Sequence, residues 1–218
     1  CVASENINWQ YVAGAENGLS TREQKYKVQY GGFQPQKEYT FLAIGLDDRA
    51  GEQMRQAILE AKDEQDSVGG AIECAVFGLP AGLGGPDFGE NAEGIFSQYL
   101  FAVPAVKAVG FGAGAAFALM RGSEANDPLY MDDDGAVRAE QNCAGGINGG
   151  ITNGMPLVFE VTMRPTPSIA RAQFTVDMVK GENAVLELHG RHDPCVVHRA
   201  VPVIEAAAAL AACELLGI

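Results

Sequence analysis

Five glycines, Gly145, Gly146, Gly149, Gly150 and Gly154, fall within ten residues. Neither helix nor strand tolerates that density, so the chain there is a loop whose backbone visits φ > 0 or comes close to another group. Such a loop exposes amide N–H groups. Leu157 to Met163, LVFEVTM, follows as a mostly buried strand with Glu160 and Thr162 on its outer face. It delivers Arg164 to the turn Arg164-Pro165-Thr166-Pro167-Ser168. Two prolines pin φ there and present one cation and two hydroxyls in a stiff frame, as an anionic ligand requires. On these residues alone, a plain loop, an edge strand and a turn account for the stretch equally well.

The 218 residues are 47% hydrophobic and 20% charged, the composition of one ordinary globular domain spanning residues 1–218. A formal net charge of −13 argues against general nucleic-acid binding, which needs lysine and arginine to neutralise phosphates. The late cations Arg164, Arg171, Arg191 and Arg199 therefore read as local features. Five cysteines, odd in number and without a CxxC pair, suit free thiols in a reducing compartment. No apolar run reaches membrane-spanning length and no leader precedes a cleavage site, so a cytoplasmic protein without membrane contact is expected.

Lys25 to Tyr30 and Tyr39 to Gly45 read as strands, and Ala50 to Glu64 as a helix burying Met54, Ala57, Ile58 and Ala61. Ser67-Val68-Gly69-Gly70 leads into a strand over Ala71 to Leu79, which ends in the glycine- and proline-rich LPAGLGGPDFG loop. Val103 to Met120 runs from an apolar strand into Gly110-x-Gly112-x-x-Ala115 and a helix-prone run, a look-alike of a dinucleotide-binding loop. The second strand with its acidic end is missing, because 122–135 is polar and turn-rich. Asp132-Asp133-Asp134-Gly135 lacks the spaced ligands of a calcium loop and reads as a solvated acidic loop. Phe174 to Val179 and Ala184 to His189 form a hairpin across Gly181-Glu182-Asn183. His189, His192 and His198, with Asp193 and Cys195 between them, match no familiar zinc spacing, so no metal is expected. Val201 to Leu216 is a helix with Pro202 in its first turn and apolar residues on nearly all faces, which predicts burial all round.

Taken together, AGGINGGITNGMPLVF, RPTPSI and GRHDPCVV followed by RAVPVIEA resemble chorismate synthase, in that order and at about the right separations. The likeness extends upstream through DSVGGAIECAVFGLPAGLGGPDF at 66–88 and VPAVKAV at 103–109, and thus over roughly the last two thirds of the chain. Residues before about 60 match only loosely. The family's GESHG, RPGHAD-like and RGGGRSSAR-like segments are missing, and the chain starts at Cys1, so it reads as the carboxy-terminal portion of such an enzyme.

The resemblance implies an α+β fold, a β-α-β sandwich with helices packed between antiparallel sheets, and a helix over Ala92 to Phe101 burying Ile95, Tyr99 and Leu100. It implies a carbon–oxygen lyase of aromatic amino acid biosynthesis. That enzyme converts 5-enolpyruvylshikimate 3-phosphate to chorismate by trans-1,4 elimination of phosphate, with reduced FMN and no net redox change, in a homotetramer. By motif position the flavin contacts are Pro104, Ala105, Gly149, Arg164, Pro165, Thr166, Pro167, Ser168 and Arg191, with Arg164 in place of the usual lysine. Asp193 matches the aspartate implicated in taking a proton from flavin N5; a plain pairing with Arg191, or a cap on the following helix, is the alternative. His198 stands where the family commonly has proline. Both acid–base histidines of the family lie in the missing segment, so the isolated chain is expected to be inactive. A non-catalytic packing or oligomerisation domain, and a nicotinamide-binding oxidoreductase, are the competing readings.

Overall fold

The computed structural model describes residues 8–12, 48–135 and 137–218. The strands expected over 25–30 and 39–45 lie outside these described residues.

The central element is the strand β8, Leu157–Met163, in a four-stranded sheet of order β1-β2-β8-β3 with β1 Asn8–Val12, β2 Gly70–Val76 and β3 Val106–Phe111. Its alternation is realised in full: Leu157, Phe159, Val161 and Met163 are buried, whereas Glu160 and Thr162 face outward. It is an interior strand and not an edge. Both of its backbone edges are paired antiparallel, from Gly70↔Met163 to Val76↔Leu157 on one side and from Val106↔Met163 to Phe111↔Phe159 on the other. β1 pairs parallel with β2. β2 stops at Val76, short of Leu79, because Gly78 takes φ +84° and turns the chain away.

The helix α1, Asp48–Asp63, buries Met54, Ile58 and Ala61 as its spacing predicts. The helix α2, Ala92–Phe101, starts behind Asn91, whose Oδ1 accepts from the Gly94 amide at 2.9 Å. Starting there, it turns Ala92, Phe96 and Leu100 into the core, with the Phe96 ring 6.0 Å from that of Phe159. Ile95 and Tyr99, expected to be buried, flank this stripe half-buried. The Tyr99 hydroxyl donates to Glu214 Oε2 at 2.6 Å, tying α2 to the last helix.

That helix, α4, spans Val197–Leu216 and begins a turn earlier than its apolar run. Pro202 therefore sits in the second turn, where its missing N–H removes the helical bond to the His198 carbonyl. Burial is confined to one stripe, Val197, Ala200, Val201, Ile204, Ala207, Ala208 and Ala211, while Val203 and Leu210 are 48% and 58% exposed. All-round apolar composition thus overstates burial, because the core covers only the stripe it touches. Among the described residues, no helix is long and apolar enough to cross a membrane.

After β3 the chain enters a 3-10 helix, Gly114–Leu119, and the short helix α3, Gly122–Ala125. β3 pairs antiparallel with β8, so the parallel strands and α-helix of a dinucleotide-binding unit are not formed here. Gly112, at φ +55°, is pressed against the chain's own glycine loop: a Cβ there would lie 1.9 Å from the Cys143 carbonyl oxygen. Several of the loop's amides are likewise bonded within the chain, so the expectation that the loop exposes them holds only in part. Asp127 accepts from the Cys143 and Ala144 amides at 2.6 and 2.9 Å, Gly145 donates to the Asn142 carbonyl, and Thr152 exchanges backbone bonds with Gly82 and Leu83.

Three small antiparallel hairpins complete the description: β4 Leu129–Met131 with β5 Val137–Ala139, β6 Ile147–Asn148 with β7 Ile151–Thr152, and β9 Gln173–Asp177 with β10 Glu182–Leu186. The last is shorter than expected because Asp177 Oδ1 captures the Val179 and Lys180 amides and ends the strand. In the acidic loop, Asp132 accepts from the Asp134 amide and from Arg138 Nε. Cys74, Cys143, Cys195 and Cys213 are free thiols, and burial pushes Cys74 up to about 12.

Two predictions follow from this packing. Gly112→Asp forces a side chain into backbone at positive φ and should cost about 3 kcal/mol or more. A shifted urea midpoint checks this, and calorimetry of the unmodified chain should show no micromolar NAD binding. On the outer sheet face Glu73 is paired directly opposite Glu160, and desolvation followed by the Glu73 charge raises the Glu160 carboxyl above its usual range. A raised carboxyl means the folded state holds more protons than the unfolded one, so stability falls as pH rises through that range. Glu160→Gln should therefore stabilise at pH 7 by about 0.2–1 kcal/mol, with the gain fading toward about pH 4; melting at the two pH values measures it.

Candidate functional site

The end of the sheet where β8 leaves and β2 and β3 begin gathers most of the sequence-identified residues. Beyond Met163 the chain runs Arg164-Pro165-Thr166-Pro167-Ser168. The Arg164 amide donates to the Ala105 carbonyl at 2.9 Å, which joins this turn to Pro104-Ala105 at the head of β3. Ala105 holds φ +75°, a left-handed conformation that a non-glycine residue adopts at a cost of about 1 kcal/mol or more. Arg164 is exposed and Thr166 half-buried. The Thr166 carbonyl accepts from Ser67 Oγ at 2.6 Å, while its own Oγ1 is buried with no hydrogen-bond partner among the described residues.

The loop preceding α4 reaches the same end. The Val68 amide donates to the Pro194 carbonyl at 2.8 Å, fixing the chain next to Asp193. Asp193 Oδ2 pairs with Arg199 Nη1 at 2.5 Å, in the first turn of α4, so the partner seen among the described residues is Arg199 and not the expected Arg191 or a helix amide. The pair engages Oδ2, and Oδ1 makes no hydrogen bond among the described residues. Arg191 is exposed on this loop, and the buried Nε2 of His192 has no partner among the described residues. His198 is half-buried behind them. Burial and then the Arg199 cation push its imidazole below the usual histidine range, with Asp193 opposing, so it is predominantly neutral at neutral pH.

Gly149 stands elsewhere. Gly149 and Gly150 form the two-residue tip between β6 and β7, with φ of +59° and +83° as a type I′ turn requires. A Cβ on Gly149 meets nothing within 4 Å, whereas one on Gly150 would meet the Gly85 carbonyl oxygen at 2.4 Å. This tip lies past the opposite end of β8. Six strand steps separate Leu157 from Met163, about 20 Å, so within this chain Gly149 does not join Arg164 to Ser168.

The assembled end carries the exposed guanidiniums of Arg164 and Arg191, the Asp193–Arg199 pair, and the Thr166 and His192 atoms that are buried without a partner among the described residues. Buried polar groups of folded proteins are normally satisfied, so the Thr166 hydroxyl and His192 Nε2 mark where an external polar group fits. Arginines beside them suit phosphate or carboxylate. Among the described residues, no three His, Cys, Asp or Glu side chains stand close enough together to hold a metal ion. Sequence reasoning missed Asp66 and Ser67, whose contacts are with segments about a hundred residues away, and it singled out Arg199 without its pairing to Asp193.

Comparison with known proteins supplies the family. A family model described as chorismate synthase matches residues 17–216. The chorismate synthase of Methanothermobacter thermautotrophicus is 46% identical over 164 residues, 75% of this chain and 44% of that protein. The chorismate synthase of Thermococcus gammatolerans is 49% identical over 160 residues, 73% of this chain and again 44% of the relative. A crystal structure of chorismate synthase superposes with a TM-score of 0.63 at 27% identity, covering 78% of this chain and 44% of that one. The matched part of this chain covers less than half the length of these relatives. The matched sequence and the shared fold together place the chain in the chorismate synthase family.

Proposed function

We propose that this chain forms one wall of a chorismate synthase active site, and that a polypeptide of the relatives' full length converts 5-enolpyruvylshikimate 3-phosphate to chorismate. The observation that carries the reading is the convergence of Pro104-Ala105, Arg164 to Ser168 and the Asp193 loop at one sheet end, around a buried hydroxyl without a partner among the described residues. The reaction breaks a C–O bond to phosphate and a ring C–H bond, so the site must hold anionic groups and accept a proton. Arg164 and Arg191 would take the phosphate and carboxylate charges, the former as a fork where the family has a point charge. Thr166 Oγ1 would bond the ligand that satisfies it. Asp193, held by Arg199 through Oδ2, would receive a proton at Oδ1. Reduced FMN fits the same cations and hydroxyl, and when bound it supplies transient electron density without net redox change.

The wider proposal is a cytoplasmic enzyme in which residues 1–218 act as one domain and the assembly is a homo-oligomer, a tetramer as in the family. A specific observation supports association. Phe174, Val176 and Val185 share one face of the β9–β10 hairpin and are 96%, 53% and 58% exposed, and a two-stranded ribbon is marginal without a packing partner.

Asp193→Asn in a full-length polypeptide should lower the single-turnover rate at saturating reduced FMN by about 10²–10⁴-fold with little change in KM. Because the Asp193–Arg199 pair is surface-exposed, stability should change by less than about 1 kcal/mol. An unchanged rate removes Asp193 from the mechanism. The 218-residue chain alone should fold, bind FMN weakly or not at all, and form no chorismate from substrate and reduced FMN; turnover by it would overturn the proposal that the remaining length supplies essential groups.

A further inference from the structure

The turn at 164–168 cannot hold itself. Pro165 and Pro167 lack the amides with which a turn is normally closed, so its orientation must be imposed from outside. Beyond the Arg164 bond to Ala105, one short stretch imposes it. Asp66 accepts from the Ser67 amide through Oδ1 at 2.8 Å and pairs with Arg171 through Oδ2 at 2.7 Å, and these two contacts, in that order, hold its carboxyl below the usual range. The neighbouring Gln65 carbonyl accepts from the Ala170 amide at 3.2 Å. Ser67 Oγ reaches across to the Thr166 carbonyl at 2.6 Å. Val68 holds Pro194 at 2.8 Å, and Gly69 lies so close that a Cβ would sit 2.4 Å from the Met163 carbonyl oxygen and 3.1 Å from Pro165 Cδ. Residues 65–69 thus form a strap: Gln65 and Asp66 hold the chain just past the turn, Ser67 and Gly69 meet the turn itself, and Val68 holds the loop carrying Asp193.

We infer that Asp66 and Ser67 are positioning residues for the site. Ser67 fixes the Thr166 peptide from its carbonyl side, so the partnerless Oγ1 and the adjacent Arg164 are presented in one orientation. Asp66 fixes Ser67 and, through Arg171, the exit of the turn. Gly69 is small because the strap must pass directly beside Met163 and Pro165 before entering β2. The identity of the ligand rests on the chorismate synthase reading; the geometry of the strap does not.

Ser67→Ala removes the hydroxyl and Ser67→Thr retains it. In a full-length polypeptide, Ser67→Ala should weaken FMN binding about 5–10-fold, the equivalent of one hydrogen bond, and Ser67→Thr should restore it. A residue serving stability alone would lower the melting temperature and leave the flavin affinity of the folded protein unchanged, which would overturn the inference. If the unmodified polypeptide binds no FMN, the cofactor assignment fails and the strap is judged on the 15N-labelled 218-residue chain. There the amide resonances of Thr166, Ser168 and Ala170 should move in Ser67→Ala and return in Ser67→Thr. Resonances that stay in place in Ser67→Ala, or that Ser67→Thr fails to return, would reject it.

Discussion

The structure depends on β8 having both backbone edges occupied. Seven residues supply two antiparallel ladders, and their inward side chains, Leu157, Phe159, Val161 and Met163, supply the floor on which α2 and α4 rest. A one-residue slip in either ladder would turn these four outward and bring Glu160 and Thr162 into the core. Register is therefore set by burial, and with it the position of whatever the strand leads into. Arg164 follows the last paired residue immediately, so the site inherits the sheet's precision.

Local sequence carried the elements whose signal is local. The period-two run of β8 and the helical spacing of Met54, Ile58 and Ala61 are realised as written. The prolines of the 164–168 turn marked irregular backbone, but the Ser67 hydroxyl that fixes it lies 99 residues away and was not signalled. What the sequence did not disclose was direction. Val201 to Leu216 is apolar on most faces, yet only tertiary packing chooses the stripe that is buried, and Val203 and Leu210 were indistinguishable from Ile204 in the one-dimensional pattern. Glycine density likewise told of close approach without naming what approaches. At Gly112 it is the chain's own Cys143 carbonyl.

The site was legible as a set of motifs and illegible as an arrangement. Pro104-Ala105, Arg164 to Ser168 and Asp193 converge because β3, β8 and the strap before β2 meet at one sheet end, a topological fact that spacing along the chain does not encode. Gly149 shows the converse, since its motif neighbours the turn in sequence while β8 itself holds the two apart. Asp193 found a partner six residues on, Arg199, because α4 begins early enough to place that side chain beside it.

The pairing of β8 has a consequence for how the chain reaches this state. Gly70 meets Met163 across about ninety residues, and the two strands flanking β8 are both made before it. Contacts of such long range close slowly, because loop entropy is lost before burial repays it. During synthesis β2 and β3 emerge from the ribosome with open edges facing the gap that β8 will fill. Their apolar residues, Ile72, Cys74, Val106 and Val109, are then exposed to pairing with other chains. The same strand that gives the finished fold its order leaves the nascent one with two unpaired strand edges until residue 163 has been made.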